Sequence, residues 1–289
     1  MDEIDRLLLE VKATVHGWMD VSVYRKLYDT AAESPGGTFV EIGTSSGAAS
    51  IALALGAKAS GNAFRLLSAD LFQPGLRPFG ATPEEKRAGL YRSFAQFGVA
   101  DAIDHVHGDS ADLIAVREPR DITILLIDAD GRIDRDLERL HGRLASDAAI
   151  IIDDIDGWPR VHSNADTAVI DQKHRLSRML VDTFVREGLL RLAAEHGGAG
   201  WFVRGRDAAR GEFERLALPA YRQLVKVALP LAEFDPRPRL RTRLARRLPW
   251  LARAWRRFIP APPPPARSGT PPVAMPERGE IFEQFTVAP

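Results

Sequence analysis

The sequence predicts an α/β protein built on a mostly parallel sheet, and two observations lead to that prediction. Short apolar runs such as FVEI, LLSAD, ITILLI and AAIII alternate along the chain with segments of helical periodicity. Continuous runs of Val, Ile and Leu are typical of central parallel strands that are buried on both faces. Several of these runs end in an acidic residue. Because the carboxyl ends of parallel strands lie at one edge of a sheet, we expect these carboxylates to share one rim.

Composition limits the classes of function. The chain has 289 residues, of which 45% are hydrophobic, so it can bury a sizeable core. It is longer than one α/β fold of roughly 200 residues needs, so we expect additional elements at both ends. The formal net charge is zero, which argues against nucleic-acid binding by the whole protein. The chain has no cysteine, which excludes disulfides, thiolate metal ligands and a cysteine nucleophile.

The terminal and apolar segments predict a cytoplasmic protein. The first residues, MDEIDRLLLE, are acidic and lack the basic region and apolar stretch of a signal peptide. No uninterrupted apolar run reaches 18 residues, so no membrane span is expected. The absence of cysteine agrees with this compartment.

A glycine-rich turn follows the first apolar run. Residues 39–50 read FVEIGTSSGAAS, a pattern that predicts a strand, a tight turn and the start of a helix, where a nucleotide-like ligand can meet backbone N–H groups. The spacing is G-x-x-x-G rather than G-x-G-x-x-G, and Thr44 and Ser45 carry side chains where a pyrophosphate would approach. The Glu41 carboxylate would repel phosphate but attract a ligand with an amino group and a sulfonium. An ordinary strand-to-helix turn is the alternative.

Two further acidic segments follow in the expected order. Asp70 ends the run LLSAD, 27 residues after Gly43, where nucleotide-binding α/β folds place an acid that accepts hydrogen bonds from ribose hydroxyls. The alternative is a cap or turn aspartate. Asp109 and Ser110 follow a third run, where either could be the N-cap of the helix ADLIAV.

The fourth and fifth runs end in carboxylates that we expect to converge. Asp128 follows ITILLI, and Asp153 and Asp154 follow AAIII. The sequence shows no lysine near these positions, and the burial of several like charges is costly unless a cation offsets it. Ligands that are all oxygen favour a hard divalent ion such as Mg²⁺, Ca²⁺ or Mn²⁺.

In its motifs the chain resembles the class I S-adenosylmethionine (SAM)-dependent methyltransferases, whose first motif has an acid followed by G-x-x-x-G. Asp128, Asp153 and Asp154 resemble the metal-ligating residues of the catechol and caffeoyl-CoA O-methyltransferases, although the third ligand there is asparagine. The macrolide-sugar O-methyltransferases and cephalosporin-hydroxylase-like bacterial sequences are also similar. The resemblance covers about residues 38–205 and implies a Rossmann-like sheet of seven strands with one antiparallel strand and helices on both faces. The positions it implies for the cofactor are Glu41, Gly43, Thr44, Ser45, Gly47, Asp70, Asp109, Ser110 and Asp128, with adenine at Asp109 and Ser110.

The general base cannot be transferred from these families. Gly131 stands where the metal-dependent family has its lysine and where the bacterial relatives have histidine, and the nearest later lysine is Lys173. We therefore rank His162, Asp130 and His141 as candidate bases. His162 is expected in a loop directly after the carboxylate pair, and its ordinary pKa suits base chemistry near neutrality. Asp128 and His162 are the predicted catalytic residues.

The flanking segments complete the predicted organisation. Helices are predicted at 2–15, 21–33, 83–98 and 167–188, with His141 in the middle of another, and a hairpin is predicted at 189–205. We predict N-terminal helices at 1–36, a SAM-binding methyltransferase domain at 37–206, a helical basic extension at 207–258 and a proline-rich tail at 259–289. Residues 237–257 contain nine arginines and no acid, which suits either contact with an anionic membrane or acidic partner, or a solvated extension.

Three functions remain open from the sequence. The first is SAM-dependent O-methylation of a small-molecule hydroxyl, as in secondary metabolism, with a divalent metal assisting. The second uses the same fold without a metal, and the third is a binding module without turnover. A small-molecule acceptor is the predicted partner, and the N-terminal helices either support a homo-oligomer or simply close the core.

Overall fold

In a computed structural model, the protein has one large β-sheet at its centre. The structure describes residues 2–72, 82–163, 168–228 and 273–274, and for 161–163, 168–170, 225–228 and 273–274 it describes the backbone alone. The helices are α1 Glu3–Val15, α2 Val21–Ala32, α3 Ala48–Ser60, α4 Pro83–Gln96, α5 Ser110–Arg117, α6 Ile133–Leu140, α7 Lys173–Arg186 and α8 Glu212–Ala228, with a 3₁₀ turn at His141–Arg143. The strands are β1 Gly37–Ile42, β2 Phe64–Asp70, β3 Ile103–His107, β4 Ile122–Ile127, β5 Leu144–Ile152, β6 Arg160–Ser163, β7 Ala168–Asp171, β8 Leu190–His196, β9 Ala199–Arg204 and β10 Val273–Ala274.

The main sheet has seven strands in the order β3-β2-β1-β4-β5-β9-β8. Neighbouring strands from β3 to β5 run parallel, and β9 is antiparallel to both β5 and β8. The predicted α/β fold, with seven strands and one reversed strand, is therefore confirmed. The strand order turns at β1 and β4, and α/β folds bind ligands outside the carboxyl ends of strands at such a switch point.

Alternating side chains of the central strands build a core on each face of the sheet. Phe39 and Leu66 pack with α1 to α4, whereas Val40 and Leu67 pack with α5 to α8. This division follows from the period of two along a strand. Helices cover both faces, so the apolar strands lie out of water, as their composition predicts.

Local sequence signals set most helix ends. Asp2 and Thr82 act as N-caps of α1 and α4 in reciprocal capping boxes, and Pro83 opens α4. The hairpin of β8 and β9 turns at Gly197 and Gly198, both with positive φ. These elements lie close to their predicted bounds.

Three local predictions are wrong. The helix expected from residue 167 begins at Lys173, because 168–171 form β7, which pairs antiparallel with β6 through His162 and Val169. His162 therefore lies in a strand instead of the expected loop. His141 lies in the 3₁₀ turn after α6 and not in the middle of a helix. The first two errors arise because the short segments β6 and β7 obtain their structure from pairing with each other and not from their own periodicity.

Beyond α8 the C-terminal region is described only at Val273–Ala274. Helix α8 buries Phe213, Ala217 and Leu224 against the core that also holds α6 and α7. Residues 237–257, with the predicted membrane or anionic-partner role, lie outside the described residues. In the described ranges no helix combines the length and apolarity needed to cross a bilayer.

Candidate functional site

The glycine-rich turn between β1 and α3 brings two strand ends into close contact. Gly43 and Gly47 have φ values of 95° and 89°, which side chains rarely allow. A Cβ on Gly43 would lie 1.9 Å from the backbone oxygen of Asp128, and one on Gly47 would lie 2.5 Å from Leu90. The turn therefore needs glycine for its conformation and for its contacts. It places the N-terminus of α3 beside the end of β4.

Asp70 connects this turn to the end of β2. Its carboxylate accepts hydrogen bonds from the backbone N–H of Ser45 at 2.7 Å and of Phe72 at 2.6 Å. Ser45 itself has a φ of 49°, so its N–H is aimed at Asp70 by an uncommon backbone conformation. Asp70 lies on the predicted rim, and a carboxylate with two acceptor oxygens has further lone pairs for ligand hydroxyls.

Glu41 lies deeper than the sequence suggests. Its side chain is fully buried, and it accepts a hydrogen bond from the Ser50 hydroxyl of α3. Its other oxygen, Oε1, has no hydrogen-bond partner among the residues that the structure describes. Burial raises the pKa of Glu41 to about 8, and the charge of Asp70 adds to the rise. With its pKa raised in this way, Glu41 keeps its proton at neutral pH in the isolated protein, and a nearby cation would favour the carboxylate charge that the sequence suggests.

Asp109 acts as the N-cap of α5, the alternative that the sequence left open. Its carboxylate accepts from the N–H of Ala111 at 2.7 Å and pairs with Arg139 at 2.9 Å. Ser110 is fully buried and donates to Asp136 at 2.6 Å. The Ser110 hydroxyl is therefore directed to α6, and the predicted contact of these two residues with adenine remains a prediction.

The three predicted metal ligands do come together. One carboxylate oxygen from each of Asp128, Asp153 and Asp154 lies within 4.8 Å of the others, and we call these residues the acidic cluster. Asp128 and Asp153 follow neighbouring strands, β4 and β5, and Asp154 has a φ of 58°. Burial and the adjacent Asp154 charge raise the pKa of Asp153 to about 6. The convergence predicted from the strand pattern is thus present.

A lysine lies within this cluster, so the expectation that none is near was wrong. The Lys173 Nζ lies 2.7 Å from Oδ2 of Asp154 and 3.5 Å from Oδ1 of Asp128, and its side chain is 12% exposed. Although burial alone would raise the pKa of Asp154, Lys173 holds it below its usual value. Lys173 is the first residue of α7, and the β6–β7 hairpin brings this helix back to the cluster.

His174, the next residue, occupies the other side of Asp154. Its Nε2 lies 3.1 Å from Oδ1 of Asp154, and its Nδ1 lies 3.1 Å from Asp156. Both oxygens of Asp154 thus have partners from α7. Three carboxylates are the right donors for a hard divalent ion, but the Lys173 ammonium, 2.7 Å from Oδ2 of Asp154, would repel an ion bound at that residue. As arranged, the cluster does not fit a divalent cation.

Two of the three candidate bases are engaged elsewhere. Arg135 binds Asp130 through an ion pair of 3.0 Å. His141 is buried with its Nε2 3.3 Å from the Leu189 oxygen, and its ring packs on Phe213 at 5.1 Å. These contacts make both residues structural. The side chain of His162 lies outside the described part of the chain, so its role as base stays a prediction.

Sequence reasoning missed Tyr24, on the apolar face of α2. Its ring is buried, and its hydroxyl accepts from the Met19 N–H at 3.2 Å. Burial raises the pKa of Tyr24, and the charges of Asp128, Asp153 and Glu41 raise it further. A tyrosine among helical apolar residues gives no sequence signal that distinguishes it from core. Lys173 was overlooked because only the β6–β7 pairing brings it to the rim.

Comparison with known proteins connects this geometry to a family. Residues 40–155 match the profile of a family described as a methyltransferase domain. No curated protein sequence matches the chain significantly.

Several solved structures share the fold. Cofactor-bound Rv0187 from MTB has a TM-score of 0.54 and 17% identity, covering 71% of this chain and 92% of that one. The O-methyltransferase from Bacillus cereus in complex with SAH has a TM-score of 0.51 and 18% identity, covering 71% and 91%. SAH-bound methyltransferase PaMTH1 from Podospora anserina has a TM-score of 0.50 and 14% identity, covering 69% and 88%. At such identities these likenesses establish the fold.

Proposed function

We propose that this protein, whose residues 40–155 match the profile of a methyltransferase domain, transfers the methyl group of SAM to a hydroxyl group of a small molecule. The observation that carries this proposal is the shared rim. There the glycine-rich turn, bound to Asp70, lies beside the carboxylates that follow β4 and β5. Two proteins of the same fold are described as complexes with SAH, which supports the choice of cofactor.

The cofactor would lie across the turn. Asp70 would accept hydrogen bonds from the ribose hydroxyls, since it ends β2 beside the turn. The backbone of the turn would contact the ligand at Gly43, Thr44, Ser45 and Gly47. Beneath the turn, the buried Oε1 of Glu41 would be available as a hydrogen-bond acceptor. The cationic cofactor would lower the pKa of Glu41, because an opposite charge favours the ionised carboxyl.

The reaction mainly requires that the acceptor oxygen is aligned with the methyl–sulfur bond of SAM. A lone pair of the acceptor oxygen attacks the methyl carbon, the carbon–sulfur bond breaks, and its electron pair stays on sulfur to give neutral S-adenosylhomocysteine. The hydroxyl proton passes to a base, for which His162 is the predicted residue. The protein supplies proximity and orientation, because the sulfonium already activates the methyl group. The proposed acceptor is a hydroxylated or glycosylated secondary metabolite.

Two forms of this function differ in the acidic cluster. In the metal-assisted form, Asp128, Asp153 and Asp154 would hold a divalent ion, which would supply a Lewis acid for the acceptor hydroxyl. The oxygen donors support this form, but the Lys173 ammonium would have to move away from Asp154. In the metal-independent form the cluster acts as it stands, with Lys173 in place. The position of Lys173 favours the second form.

Calorimetry and a turnover assay test the proposal. We expect SAM and S-adenosylhomocysteine to bind the full chain, and Asp70→Asn to weaken both at least about tenfold, because a charge-assisted hydrogen bond contributes about 1.5–3 kcal/mol. Asp147→Asn, an exchange at an exposed site of β5, is the matched control and should bind like the wild type. Release of S-adenosylhomocysteine is then followed across hydroxylated acceptors.

The outcomes separate the functions. Failure to bind SAM would refute the enzyme proposal. Binding without turnover on any acceptor would favour a binding module, and turnover that stops in chelator would select the metal-assisted form.

A further inference from the structure

We infer that the Lys173 ammonium is the resident cation of the acidic cluster, so that this protein fills with its own side chain the place that a divalent ion would need. The inference rests on the proposed function only in assigning the cluster to the acceptor end of the site. It makes Lys173 a positioning residue that holds Asp128 and Asp154 in fixed relation. The cluster then needs no bound metal to stay assembled.

The position of the Lys173 ammonium is set by the backbone at the start of α7. After Asp154, strand β6 (Arg160–Ser163) pairs with β7 (Ala168–Asp171), and α7 starts two residues after the end of β7. The carboxylate of Asp171 accepts the N–H of Lys173 at 2.8 Å, which holds the first turn of the helix. Further along α7, Leu176, Leu180 and Phe184 are buried in the core. Lys173 is therefore built on an anchored helix and does not reach the cluster by chance from a loop.

The partners of Asp154 argue most directly against an added metal ion. The Lys173 Nζ lies 2.7 Å from Oδ2 of Asp154, and the His174 Nε2 lies 3.1 Å from Oδ1. A metal ion at this residue would compete for Asp154 with a charged group that is only 12% exposed and already paired with it. The ion would also lie close to the ammonium and be repelled by it.

The charge of the cluster agrees with this assignment. Asp128 lies 3.5 Å from the same ammonium, so one cation serves two carboxylates. Asp153 has the third carboxyl, and burial disfavours its charge. A lysine, with three donors on a compact charge, can bridge two carboxylates in this way. Removal of the ammonium would leave neighbouring carboxylates uncompensated, and such a set attracts a divalent ion.

Titration with Mn²⁺ on the full chain tests the inference. We expect the wild type to show no saturable Mn²⁺ binding up to millimolar concentration by calorimetry or electron paramagnetic resonance. Lys173→Met should bind Mn²⁺ at least about 30-fold more tightly, because a repulsive charge is removed and two oxygens are released. Lys173→Arg, which keeps the charge, should resemble the wild type. Lys58→Met is the matched control, since Lys58 pairs with Asp101 at 3.0 Å away from the cluster.

The wild-type titration can overturn the inference by itself, whether or not the Met variant folds. Micromolar Mn²⁺ binding by the wild type would overturn the inference on its own, and so would a folded Lys173→Met protein that binds Mn²⁺ no more tightly than wild type. Weak wild-type binding together with a tight-binding variant would support it. SAM calorimetry on the same samples reports separately on the proposed function, because cofactor binding and metal binding are measured without turnover.

Discussion

Replacement of Glu41 by glutamine isolates the effect of one buried carboxyl. Glu41→Gln keeps the size of the side chain and an oxygen that accepts the Ser50 hydroxyl bond. It removes the titratable proton from a fully buried position where Oε1 has no partner among the described residues. The exchange therefore changes how stability and cofactor binding depend on pH, while the packing stays nearly the same.

The sign and size of the stability effect follow from the two pKa values of Glu41. The unfolded chain loses this proton near its ordinary pKa of 4.5, whereas the folded protein keeps it until about pH 8. Between these values the unfolded state binds fewer protons, so the contribution of Glu41 to stability falls as pH rises. A shift of that size corresponds to at most about 5 kcal/mol, and relaxation of the buried site will reduce it.

Urea unfolding at pH 5 and pH 9 measures the effect. We expect Glu41→Gln to match the wild type at pH 5 and to be more stable at pH 9 by about 2–5 kcal/mol. Other groups titrate equally in both proteins, so the difference between them reports on this residue. An identical pH dependence in the two proteins would refute the assignment of a protonated, buried Glu41.

Cofactor binding gives the same residue a second test. If the cationic part of SAM ionises Glu41, binding must release a proton between about pH 5 and pH 8. Calorimetry in two buffers of different ionisation enthalpy counts this proton. Glu41→Gln should bind SAM without the release. Proton release that persists in the variant would assign it to another group.

Two further exchanges test other parts of the fold. His105 is hydrogen-bonded to Ser68 at 3.0 Å, and burial lowers its pKa to about 4. Below pH 6.5 the unfolded chain binds a proton that the folded protein does not bind, so the free energy of unfolding decreases toward pH 4 by at most about 3 kcal/mol. His105→Phe should remove this pH dependence from acid unfolding curves. A Cβ on Gly56 would lie 2.1 Å from the backbone carbonyl oxygen of Tyr28, so Gly56→Ala should lower the free energy of unfolding by at least about 2 kcal/mol. Gly142→Ala, where a Cβ meets open space, is its control, and equal effects of the two glycine exchanges would contradict the close packing of α2 on α3.

The architecture could be predicted because its signals are local and repeated. The runs that end at Asp70, Asp128 and Asp153 are strands in the structure, and the glycine spacing after Glu41 predicts the turn. Parallel strands of one sheet place their ends together, so the convergence of the acids followed from the order of the runs. The resemblance to class I methyltransferases is confirmed by the matching family profile and the sheet topology.

The chemical state of the site was harder to predict, because it depends on contacts between distant segments. Asp154 and Lys173 meet only because β6 pairs with β7, and that short hairpin has no strong pattern of its own. For Glu41 a signal was present: it alternates with Val40 and Ile42, so it must face α3 on the opposite side of the sheet. Its neutral form follows from this burial.

Charge compensation at the acceptor end also affects the rate of the proposed reaction. The sulfonium charge of SAM spreads over the methyl group and acceptor as the methyl moves, so excess carboxylates nearby would stabilise the bound cofactor more than the transition state. Uncompensated carboxylates also raise the pKa of the acceptor hydroxyl and oppose loss of its proton. Lys173, 2.7 Å from Asp154, counters both effects. Lys173→Met should therefore lower kcat while SAM affinity stays equal or increases; a variant with unchanged kcat and weakened SAM binding would mean that Lys173 serves the cofactor instead.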